Sequence, residues 1–151
     1  MNNNKGFTVL ELLILMAVTV TLSQIATKSF TSVESRKINS VSLNLQSEVR
    51  NAKNRSSIEN ISYRIFFSIS NNRYSVYRDG VLQKHVYLPE GIWLEEVTAR
   101  ENSVSFTPVG TTGDASTIVL RGKEFVAILT INVGAGRVSI KELKKIDTFG
   151  N

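Results

Sequence analysis

From residue 7 to residue 79 the chain holds neither glycine nor proline, so 73 consecutive residues carry no strong breaker of regular structure. Such a run leaves room for one very long element, and its hydropathy pattern says which kind. Residues 7–26, FTVLELLILMAVTVTLSQIA, are apolar apart from Thr, Ser, Gln24 and Glu11. As a helix this segment spans roughly 30 Å, about the hydrocarbon thickness of a bilayer. Beyond it, Phe30, Val33, Ile38, Val41, Leu45, Val49 and Ala52 recur every three to five residues, the apolar stripe of an amphipathic helix. The spacing predicts a single helix from about Phe7 to about Arg55, roughly 75 Å long at the standard rise. Its first half is apolar all round, and its second half has one face that needs a partner.

The period then changes from helical to alternating. In NISYRIFFSI, Ile61, Tyr63, Ile65, Phe67 and Ile69 alternate with mostly polar residues, the mark of a half-buried strand. RYSVYRDGVLQKHVYL reads as a hairpin turning at Asp79-Gly80. IWLEEV, SVSF, STIVL, FVAILTINV and RVSIK supply further strands, and the apolar run FVAILTI predicts a strand buried on both faces. The expected fold class is α+β, with the long N-terminal helix packed against a C-terminal antiparallel β-sheet. Expected boundaries are a leader at 1–6, a membrane-spanning half-helix at 7–27, an amphipathic half-helix at 28–56, a β-rich domain at 57–142 and a frayed polar tail at 143–151.

Composition removes several functions. There is no cysteine, hence no disulfide, thiolate metal site, cysteine nucleophile or acylated lipoprotein anchor. The single histidine, His85, has no carboxylate close to it in sequence and reads as a half-exposed strand residue. No catalytic, metal-binding or cofactor-binding residue is indicated, which argues against an enzyme. The net charge of +5 is zoned: residues 28–84 carry ten Lys/Arg against four acids, 85–120 one against five, and 121–151 six against three. Alternating zones suit a subunit that docks onto neighbours, and the basic ones can attract polyanions.

Glu11 is the anomaly. A carboxylate at bilayer depth is costly, rare and usually functional. A secretory signal has a shorter apolar core followed by a small-residue cleavage site. Here the small-residue junction precedes the core, at Lys5-Gly6-Phe7, so a cut there keeps the hydrophobic helix.

At these residues the chain resembles a known family. KGFTVLELLI closely resembles the class III signal of type IV pilins and type II secretion pseudopilins: a short polar leader ending in Gly6, an aromatic Phe7 opening the mature chain, and Glu11 at its fifth position. The β-domain is similar to that of H-type pseudopilins and FimT-like minor pilins, in Phe106-x-Pro108-x-Gly110 and in Gly136-Arg137 opening the final strand. The resemblance implies that prepilin peptidase cleaves after Gly6 and methylates the new amino group of Phe7. It also implies that Glu11 neutralises the Phe7 amine of an adjacent subunit. A glutamate that snorkels to the interface or pairs within its own chain is the alternative. The implied setting is a single pass through the bacterial cytoplasmic membrane, an extracytoplasmic C-terminal domain, and assembly with other pilin or pseudopilin subunits.

The chain departs from the family in ways that point to a minor subunit. Lys28 stands where many pilins have a kinking proline, and neither a C-terminal disulfide nor an acidic calcium cluster is present. The implied role is a minor pilin or pseudopilin that helps initiate or cap a pilus or pseudopilus. The alternative is a DNA-binding minor pilin of a competence pilus, with Arg137, Lys141, Lys144 and Lys145 contacting phosphates. Some FimT-like pilins carry Gly-Arg-x-Arg at this point, whereas here the fourth residue is Ser139.

Overall fold

The computed structural model describes residues 8–113, 115–132 and 138–145, without the side chains of 22–32, 138 and 141–143. The chain divides into two units, Met1–Val33 and Glu34–Asn151, and one helix, α1 (Val9–Glu59), contributes to both. Eight strands follow among the described residues: β1 (Tyr63–Ser68), β2 (Arg73–Arg78), β3 (Val81–Tyr87), β4 (Trp93–Val97), β5 (Ser103–Phe106), β6 (Ser116–Arg121), β7 (Phe125–Ile131) and β8 (Val138–Lys145).

The helix ends without help from glycine or proline. Asn60 takes a positive φ of 54°, and the Ile61 N–H reaches back to the Ser56 carbonyl at 3.2 Å. That is a Schellman closure with asparagine in the left-handed position. It carries α1 to Glu59, past the expected end near Arg55.

In the second unit the buried helix face runs Ile38, Ser42, Leu45, Val49, Ala52 and Ser56, spaced three or four apart. The stripe differs from the sequence expectation at two points: Val33 is exposed and Val41 only half-buried, while two serines lie fully buried among the apolar residues. Their hydroxyls donate within the helix, Ser42 Oγ to the Ile38 carbonyl at 2.8 Å and Ser56 Oγ to the Lys53 carbonyl at 2.6 Å. A serine bonded in this way buries no unsatisfied group, so hydropathy alone does not reveal it as a core residue.

The single sheet expected from sequence is two four-stranded sheets, both antiparallel. One has the order β3-β2-β1-β5 and the other β4-β6-β7-β8. Leu45 of the helix, Phe67 of the first sheet and Leu120 of the second line one small cavity of about 10 Å³, so the three layers share one core. Asn72 joins the sheets. From the β1–β2 turn its side chain donates to the Ile92 carbonyl at 2.8 Å and accepts from the Leu94 N–H at 2.8 Å. The β2–β3 turn is as expected: Asp79 (φ 48°) and Gly80 (φ 77°) both have positive φ, as a type I′ hairpin requires.

Two further expectations need adjusting. β7 alternates, with Ala127, Leu129 and Ile131 buried and Val126, Ile128 and Thr130 half-buried, because β6 and β8 flank it while its second face is only partly covered. β8 continues through Lys145, taking in residues expected as tail. A register shift opposite Ile128 and Leu129 places Ile140 across from Leu129 and Leu143 across from Ala127. The bulge breaks the period of two, so ELKK does not look like a strand.

Polar tethers fix the helix to the sheets. Glu34 Oε1 accepts the Glu124 N–H at 2.9 Å, Lys37 Nζ donates to the Glu90 carbonyl, and Lys84 Nζ meets Glu48 at 2.8 Å. Glu59, at the helix terminus, accepts from Arg78 Nε at 2.8 Å, Arg55 Nε at 2.9 Å and the Tyr63 hydroxyl at 3.0 Å. The Arg78 hydrogen bond, with those from Tyr63 and Arg55, outweighs desolvation and holds this carboxyl at about 2, against an ordinary 4.5. A depressed folded-state pKa stabilises above the unfolded value and loses that contribution as pH falls through the folded one. The stability gap between wild type and Glu59→Gln should therefore be full above about pH 4.5 and shrink as pH falls toward about 2, read by chemical denaturation across that range. A gap that stays constant through that window would show that Glu59 contributes no linked protonation.

Candidate assembly site

Glu11 occupies the first turn of α1, where a negative charge faces the positive end of the helix dipole. Thr8 caps that turn. Its carbonyl accepts the N–H groups of Glu11 at 3.0 Å and Leu12 at 3.2 Å, and its Oγ1 lies 3.3 Å from the Glu11 nitrogen. Thr8-x-x-Glu11 has the spacing of a capping box, and its threonine half is formed, a local role for Thr8 that the family resemblance hid. Gly6 and Phe7, the expected cleavage and methylation positions, lie outside the described residues.

Around Glu11 the helix surface is apolar on every side. Nine large apolar side chains from Val9 to Val20 are between 47% and 77% exposed. Leaving them in water forgoes on the order of 10 kcal/mol relative to burial, comparable to the whole stability of a typical domain. This surface is built for an apolar environment. The threonines within it agree: Thr19 Oγ1 donates to the Met16 carbonyl at 2.9 Å, and Thr21 Oγ1 to those of Val18 at 2.8 Å and Ala17 at 3.1 Å. Such back-bonding spares each hydroxyl the cost of desolvation. Among the described residues, no helix is long and apolar enough to cross a membrane. The expected span of 7–27 extends past residues 8–21, whose side chains are described there.

Of the basic C-terminal set, the side chains of Lys144 and Lys145 are described. Arg137 lies outside the described residues, as does the side chain of Lys141 on β8. Lys144 and Lys145 are exposed on β8, the edge strand of the second sheet, and Lys145 Nζ lies 3.8 Å from Glu124. His85 is exposed on β3, with Nδ1 2.7 Å from the Ser75 hydroxyl.

Phe106-x-Pro108-x-Gly110 serves packing. Phe106 is buried at the end of β5, opposite Tyr63. The chain then turns, with the Gly110 N–H donating to the Thr107 carbonyl at 2.7 Å, and lies against Lys53 and Ser57 of α1. Gly110 has a φ of 75°, and a Cβ there would overlap the Ser57 hydroxyl.

A long helix packed on two small antiparallel sheets is an α+β fold of the pilin type. Two solved structures share it. The type IV minor pilin FimU of Pseudomonas aeruginosa is 12% identical, with a TM-score of 0.59 over 72% of this chain and 93% of that one. The minor pseudopilin EpsH from the type 2 secretion system of Vibrio cholerae is also 12% identical, with a TM-score of 0.56 over 72% of this chain and 97% of that one. At that identity the likeness establishes the fold. No protein-family model matches the sequence, and no curated protein matches it significantly.

The motif glycine gives a direct test of its packing role. Gly110→Ala should destabilise the chain by about 1–2 kcal/mol, the cost of a left-handed backbone for a residue with a Cβ. The Ser57 hydroxyl can rotate away, so Ser57→Ala should not restore the loss. Thermal unfolding of both variants and their combination decides it, and full rescue by Ser57→Ala would assign the cost to side-chain overlap instead.

Proposed function

We propose that the chain is a minor pilin or minor pseudopilin, a structural subunit without enzymatic activity. Residues 7–27 anchor it by a single pass in the bacterial cytoplasmic membrane until it is packed into a pilus or pseudopilus that it helps to initiate or cap. The observation that carries this reading is a helix start apolar on every side and bearing one carboxylate, Glu11, in a chain with the pilin-type fold. Prepilin peptidase removes residues 1–6 and methylates the Phe7 amine. In the filament, apolar helix packing supplies adhesion, while Glu11 and a neighbour's Phe7 amine supply register. A charge pair in a low-dielectric interior attracts strongly, and an unpaired member is costly. The competence alternative draws on the last strand, where Lys144 is the one described basic side chain of the set not facing a carboxylate. That is the weaker support.

Processing is checked by intact mass. From cells with prepilin peptidase the chain should begin at Phe7 and carry one methyl group, and from cells lacking the enzyme it should retain residues 1–6. A mature N-terminus near residues 23–28 would mean an ordinary signal peptide. The charge pair is checked by Glu11→Val, which should leave membrane insertion intact because it makes the span more apolar. Its incorporation into sheared surface filaments should fall at least about ten-fold, since removing one partner of a buried pair costs several kcal/mol. Incorporation at the wild-type level would refute the pairing.

A further inference from the structure

The outer face of the first sheet carries an inference independent of filament assembly. Residues paired across an antiparallel ladder share a face. The register sets Arg64 opposite Tyr77 on one side and Ser105 on the other, Phe66 opposite Ser75 and Ser103, and Arg73 opposite Tyr87. Tyr63, Ile65 and Phe67 alternate with these on β1 and are buried, so this is the face turned away from the core. A solvated sheet face is ordinarily polar. Here Phe66 is 37% exposed and Tyr87 64%, interleaved with two arginines and with no carboxylate at any of these register positions.

The arginines are uncommitted in a specific sense. Arg55, Arg78 and Arg121 each meet a carboxylate, whereas among the described residues Arg64 and Arg73 meet none. The Arg73 guanidinium lies 5.6 Å over the Tyr87 ring and donates to its hydroxyl at 3.1 Å. Two cavities meet at Arg64. One, of about 470 Å³, is lined by Phe66, Tyr77 and Phe106. The other, of about 250 Å³, is lined by Arg100, Ser103, Thr112 and Glu101, and Arg64 and Ser105 line both. The two arginines and one glutamate of the polar cavity sum to +1, a charge matched to one phosphodiester rather than to a cluster of phosphates.

We propose that this face binds single-stranded nucleic acid. Bases stack on Phe66 and Tyr77, and the phosphate between them is held by Arg64 and Arg100. Aromatic rings beside cations on an open sheet suit unpaired bases, whose faces are available, whereas a duplex hides its bases in the stack. The site is separate from the basic end of β8.

Fluorescence anisotropy tests this with the full-length chain in detergent micelles and a labelled oligothymidylate of about fifteen nucleotides at low salt. Phe66→Ala and Arg64→Gln should each weaken binding about five-fold or more. Phe66→Tyr, which keeps the ring, should bind within about two-fold of wild type. Duplex of equal length should compete poorly, and affinity should fall as salt rises. Circular dichroism of each variant controls for folding. Absence of binding at low salt overturns the proposal. So does binding that survives Phe66→Ala but is lost on changing Lys144 and Lys145 to Gln, which moves the site to β8. Impaired filament incorporation by Phe66→Ala without any oligonucleotide binding makes the face a subunit interface and overturns it as well. The mass of the mature N-terminus reads the filament assignment separately, so the two stand or fall apart.

Discussion

Burial of one narrow helix stripe, from Ile38 to Ser56, is the interaction on which the folded unit depends. Two four-stranded sheets meet the same stripe, and neither has a core of its own. A small antiparallel sheet gains independent stability only when its apolar face is covered. Here the helix supplies that cover for both sheets at once, through branched residues at 38, 45 and 49 and small ones at 42, 52 and 56. Serine is admissible there because its hydroxyl is satisfied inside the helix. The polar tethers at Glu34, Lys37, Glu48 and Glu59 then fix where along the stripe each sheet sits.

Much of this architecture was legible in the sequence because the signals were long and redundant. A run of 73 residues without glycine or proline left little but a long helix to build, and the switch from helical to alternating period fell within a few residues of the observed boundary. Asp79-Gly80 announced its hairpin through backbone chemistry alone. What stayed hidden depended on contacts distant in sequence. Nothing local marks Asn72 as the residue whose amide ties two sheets together, or divides eight strands into two sheets. The bulge in β8 erased the alternation that would have revealed the strand's end. Asn60 stopped the helix by adopting a conformation that glycine would have advertised.

The candidate site shows a similar division. Glu11 stood out because a charge in an apolar run is expensive wherever the chain folds. Its partnership with Thr8 at the helix start was available from the spacing and was masked by the more conspicuous family motif. The sequence motif around Gly110 was visible as a pattern, yet its physical meaning, a loop lying against Lys53 and Ser57, needed the helix to be in place. The aromatic and cationic face of the first sheet is scattered over four strands, so only strand order and register assemble it.

The tethers have a mechanical consequence. Their helix-side anchors run from Glu34 to Glu59, about 37 Å of helix at the standard rise, and each bridges to a different strand or strand connection. A pull along the axis of this segment loads them side by side, in shear, together with the buried stripe they flank. Interactions loaded in parallel share the force, whereas interactions loaded in series fail one after another. The second half of the helix is thus gripped along its length, and a tension that would peel a single hairpin open is divided among widely spaced bonds.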